Sequence, residues 1–109
     1  MTRYLFIESQ DPLEDRGVSA YLETALELRR QQEAVTVFFV ENGAHAVRAG
    51  ARVPLRESLL AAGATVQVDD FALSERGISR DRLATGIAVG SVDTIVDLLA
   101  DPATKAIWH

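Results

Sequence analysis

Two short stretches, Tyr4-Leu5-Phe6-Ile7 and Val35-Thr36-Val37-Phe38-Phe39-Val40, are apolar almost throughout and do not alternate. A strand with one wet face alternates. A continuous run rich in β-branched and aromatic residues suits a strand covered on both faces, as in a parallel sheet. Between the two runs, Val18, Tyr21, Leu22, Ala25 and Leu26 repeat at the spacing of one buried helical stripe. Parallel neighbours need a crossover of this kind.

The same alternation of elements continues along the chain. Thr65–Val68 reads as a third strand, Ile87–Val89 between Gly86 and Gly90 as a short fourth, and Lys105–Trp108 as a fifth. Pro54 can open a helix at its first position, Leu55, Leu59 and Leu60 give it an apolar face, and Gly63 can close it in a left-handed cap. Ser91 is a good N-cap for a last helix, with Val92, Ile95, Val96 and Leu99 expected inward. Right-handed βαβ units then predict a three-layer α/β/α sandwich around a five-stranded, mainly parallel sheet. The 109 residues are expected to form one domain, 1–109, with no linker or repeat.

Composition removes whole classes of function. The chain has no cysteine, so disulfides, thiolate metal sites and cysteine nucleophiles are absent together. A net charge of −5 is the wrong sign for general nucleic-acid binding. No apolar run approaches a membrane span and no signal peptide is evident, so the cytosol is the expected location and no membrane partner is expected. There is no GxGxxG, no GxxxxGK(S/T) and no GxSxG, and no cofactor or metal is expected.

Ligands of open parallel sheets bind outside the carboxyl ends of the strands. That rule selects Glu8-Ser9 after the first strand, Asn42-Gly43-Ala44-His45 after the second and Asp69-Asp70 after the third. Asn42-Gly43 either caps a helix running through Val47, offering backbone N–H groups to an anion, or makes an ordinary turn. His45 is a general base or a plain helix residue. Glu8, Asp69 and Asp70 can converge to hold a divalent cation or do acid–base work, or they are turn and cap residues. His109, after Trp108, is expected at the same edge. Lys105 begins the last strand, at the opposite edge, so Asp69 has no lysine partner of the kind a phosphoacceptor site uses.

The order of segments resembles the DsrE/DsrF-like sulfur-relay family, which includes TusD-like proteins. YLFIESQDPLEDRGVSAYLETALEL is similar to that family's first strand, "DP" loop and long helix. VTVFFVENGAHAVRAG resembles its second strand and turn, GATVQVDDFALSERGI its third strand and "RGI" loop, and VDTIVDLLADPATKAIWH its last helix and strand. The resemblance implies a DsrE-like sandwich and an oligomer, a trimer, hexamer or dimer, which can include a cysteine-bearing homologue. It also implies sulfur transfer through a persulfide cysteine in the loop after the third strand. Counting back from Arg76-Gly77-Ile78, that position falls on Asp69 or Ala72, and neither can carry a persulfide.

Sulfur-relay chemistry is therefore not expected of this chain. The leading expectation is a non-enzymatic, DsrE-like homo-oligomer that binds a small ligand or a partner subunit. Glu8, Ser9, Asn42, His45, Asp69 and Asp70 are its expected pocket residues. The alternatives are an enzyme using Glu8, His45 and Asp69 as acid–base or metal groups, and a purely structural subunit packing through Phe71, Leu73 and Ile78.

Overall fold

The apolar runs and helical stripes resolve into alternating strands and helices. The structure, a computed structural model, describes residues 2–109. Strands β1 (Arg3–Glu8), β2 (Ala34–Phe39), β3 (Thr65–Asp69), β4 (Ala88–Gly90) and β5 (Thr104–Trp108) form one sheet. Its order is β4-β3-β2-β1-β5, and every neighbouring pair is parallel. Helices α1 (Gly17–Arg30), α2 (Pro54–Ala61), α3 (Asp70–Glu75) and α4 (Val92–Ala100) connect the strands.

Strand periodicity divides the core into two layers. Phe6, Val35, Val37, Phe39, Val66 and Val68 point to one face and pack against Val18, Leu22, Ala25 and Leu26 of α1 and Leu59 of α2. Leu5, Ile7, Phe38 and Val40 point to the other, where Ile95 and Leu98 of α4 rest on them. The three-layer sandwich is as expected, with a sheet that is parallel throughout. Pro54 is at the start of α2, and Gly63 closes it at φ +94°, with the Gly63 and Ala64 N–H groups bonded to the carbonyls of Leu60 and Leu59.

Three expectations need correction. The segment after β2 is a 3-10 helix, Glu41–Val47, which starts one residue before Asn42 and has Val40 as its cap. The Gly43 N–H donates to the Val40 carbonyl at 2.8 Å, so it is not free for an anion. Gly43 is there because a Cβ would lie 2.3 Å from the Glu8 carbonyl oxygen. Second, Val92, Val96 and Leu99 of α4 do not face inward: they are 61%, 54% and 50% exposed. Ile95 and Leu98 are the apolar side chains of the helix that pack on this layer among the described residues, and its apolar stripe is wider than that contact. Third, Leu73 is buried in the chain's own core and cannot serve a neighbour, whereas Phe71 is exposed.

Candidate functional site

The carboxyl ends of the strands carry two separate groups of side chains, one on each face of the sheet. Glu8 follows Phe6 in parity and belongs to the α1 face. Asp69 follows Gln67, not Val68, and belongs to the α4 face. The expected convergence of Glu8, Asp69 and Asp70 does not occur, because β2 lies between β1 and β3 and the side chains leave opposite faces. Among the described residues, no group of three or more His, Cys, Asp or Glu side chains is placed to hold a metal ion.

On the α1 face, Glu8 is excluded from solvent and His109 Nδ1 lies 2.8 and 2.9 Å from its two carboxyl oxygens. The Gln10 N–H donates to Glu8 Oε2 at 3.0 Å. Burial raises the Glu8 carboxyl above its usual range, opposed by the Gln10 bond and by His109. The Tyr21 ring stacks on the imidazole at 5.1 Å. Its hydroxyl is pushed up by burial first and by the Glu8 charge second. Ser9 donates to the His109 carbonyl from both N–H and hydroxyl, at 2.9 and 2.8 Å. The first turn of α1 lies over the ring, since a Cβ on Gly17 would be 2.9 Å from His109 Nε2. These contacts lock β5 to β1. Glu8 and Ser9 are anchors of the strand pair, and the histidine was legible only as an edge residue, not as the partner of Glu8.

On the α4 face, Asp69 borders a hollow of about 580 Å³. Its walls include Phe71, Val92, Ile95 and Trp108, with Glu41 and Arg76 also bordering it. Asp69 is the N-cap of α3: its Oδ2 accepts the Ala72 N–H at 3.1 Å. Its Oδ1 is buried with no hydrogen-bond partner. A buried, unmatched carboxylate oxygen is costly and calls for a donor. Arg76 does not supply it; that guanidinium donates to Asn42 Oδ1 at 2.9 Å and to the Ala72 carbonyl at 3.2 Å. Asn42 thus orients Arg76 rather than lining the hollow itself. Phe71 and Trp108 are 62% and 64% exposed, so the hollow opens among uncovered apolar side chains.

The remaining expected residues lie elsewhere. Asp70 borders a different hollow of about 410 Å³ with Phe71, Ile78 and Arg80. His45 is half-buried in the 3-10 helix, and its carbonyl accepts from Arg48 Nε at 3.1 Å. The exposure of Val92 and Trp108 was hidden in the sequence, because apolar residues at helical and strand spacing read as core.

No protein-family model and no curated protein sequence matches the chain. Its backbone matches the ychN protein of E. coli with a TM-score of 0.88 at 18% identity, covering all of both chains. The fold is shared. A protein of unknown function from Methanobacterium thermoautotrophicum, MTH1491, matches at 0.82 and 19% identity, again over both full chains. A conserved protein of unknown function from Bacteroides thetaiotaomicron, BT1422, matches at 0.69 and 12% identity, over 97% of this chain and 94% of that one. At these identities the likeness extends to the architecture: a five-stranded parallel sheet between helices.

Proposed function

We propose that the chain works by binding, as a DsrE-like subunit that transfers no sulfur. In this reading the hollow on the α4 face takes a small ligand with an apolar body and an N–H or O–H donor. The observation that carries it is Asp69, which borders the hollow together with Phe71, Val92 and Trp108 and whose Oδ1 is buried and unmatched. A donor would satisfy that oxygen while the apolar part covers the exposed rings. The absence of cysteine supports binding over relay chemistry. The enzyme alternative loses support, because Glu8 and Asp69 leave opposite faces of the sheet.

Copies of the chain assembling through α4 form part of the same reading. Val92, Val96 and Leu99 make an uncovered apolar stripe, and such patches mark interfaces. Native mass spectrometry of gently purified, untagged protein from its own host tests both parts. A discrete oligomer with excess mass, lost in Asp69→Asn, is the expected result. A bare oligomer leaves a structural subunit, and co-purification of a cysteine-bearing homologue makes the chain a scaffold. A bare monomer, or sulfur transfer by the purified protein alone from a persulfide donor, overturns the proposal.

A further inference from the structure

We infer that the chain carries a second binding site, for a small molecule with clustered oxyanion charge, phosphate or carboxylate. Arg48, Arg52, Arg76 and Arg82 border a hollow of about 760 Å³, within the size range of small-molecule sites. The chain as a whole is acidic, at net charge −5. Yet among the described residues Asp81 is the one acid bordering this hollow, a single negative charge against four positive ones, and its Oδ1 accepts the Ser79 hydroxyl. Among the described residues, ion pairs form at Arg3–Asp101, Arg56–Glu57 and His109–Glu8, and none involves these four arginines.

The backbone builds this cluster. Arg48 and Leu83 form an antiparallel bridge, flanked by hydrogen bonds of 2.8 Å from the Ala49 N–H to the Arg82 carbonyl and from the Ala84 N–H to the Val47 carbonyl. Beneath, the buried Arg56 holds the Ala46 and Arg48 carbonyls at 2.6 and 3.1 Å. Arg76 reaches the hollow from the end of α3, steadied by Asn42. Arg48 is steadied through Nε alone, which leaves its Nη groups available. Arg52 and Arg82 make no side-chain hydrogen bond among the described residues. Like charges gathered on a fixed frame repel, and a bound anion relieves that repulsion. Guanidinium forks match carboxylate and phosphate oxygens in pairs. Leu13, 70% exposed at the rim, and Ile78 offer apolar contact to the rest of such a ligand.

The test uses pyrophosphate and citrate as probes, by calorimetry and by NMR of the Gly50 and Gly77 amides at low salt. At least one probe is expected to bind with Kd below about 1 mM and to move both amides. The tighter one names the class, phosphate or carboxylate. The double variant Arg52→Gln/Arg82→Gln is expected to weaken binding at least about tenfold. A charge-matched control, Arg30→Gln/Lys105→Gln, changes two exposed cations on α1 and β5 and is expected to leave binding within about twofold. Failure of both probes to bind at about 10 mM overturns the proposal, as does equal weakening by the two double variants. Arg52 and Arg82 border this hollow and not the one beside Asp69, so the double variant tests this site apart from the other.

Discussion

Replacing Gly43 by alanine tests the joint between β1 and the segment after β2. The new Cβ would sit 2.3 Å from the Glu8 carbonyl oxygen, against at least 3.4 Å for ordinary contact, so about 1 Å of backbone movement is required. That carbonyl accepts the Val40 N–H at 2.9 Å, the last bond tying β1 to the end of β2. Overpacking of this kind costs about 1–3 kcal/mol, and the strained hydrogen bond adds about 1. The stiffer unfolded chain returns about 0.4–1 kcal/mol. The net loss is about 1–3.5 kcal/mol, which for a domain of this size lowers Tm by roughly 4–15 °C. Gly50→Ala is the control, since nothing lies within 4 Å of its Cβ position. It is expected to hold or slightly raise Tm. Scanning calorimetry of both variants decides the matter. If Gly43→Ala melts within about 3 °C of Gly50→Ala, the close approach is not what fixes this joint.

Glu8→Gln removes a carboxyl that burial holds above its usual value near 4.5. A raised folded-state pKa favours the protein below the unfolded value and loses that contribution as pH rises. Wild type is therefore expected to lose stability relative to the variant on going from about pH 4 to pH 8, read from urea titrations. A difference that is flat or grows with pH contradicts this. Arg56→Ala leaves the Ala46 and Arg48 carbonyls unmatched at a residue that is 4% exposed in wild type. A loss of about 2–4 kcal/mol in denaturant unfolding is expected. Thr94→Val removes the hydroxyl that accepts the Ser91 N–H at 3.1 Å and is expected to cost about 1 kcal/mol, with the loss of amide protection confined to α4 in hydrogen exchange.

The strands were legible because Leu5, Phe6, Val37 and Phe38 are buried on both sides, and such runs have few other uses. Pro54 and Gly63 bounded α2 for stereochemical reasons that act within a few residues. Asp69 was legible as a strand-end residue, but not as the occupant of the α4 face, since one residue of uncertainty in β3 decides its direction. The stripe on α4 misled because periodicity reports an apolar face and is silent about what covers it. His109 needed a partner more than a hundred positions away, and Arg48 and Arg82 needed a bridge between loops. Neither leaves a local pattern.

The parity that separates Glu8 from Asp69 also restricts how relatives of this chain can vary in length. Losing or gaining one residue within β3 would turn Asp69 toward α1 and drive Val68 out of the core, so the change would be refused as a folding error before any ligand was tested. Substitutions can tune each face independently, and loops such as Ala49–Arg52 can lengthen, but the strands tolerate only exchange of residues. Homologues that keep this sheet should therefore diverge in what each face recognises while the count from β1 to β3 ends stays tied to the pleat.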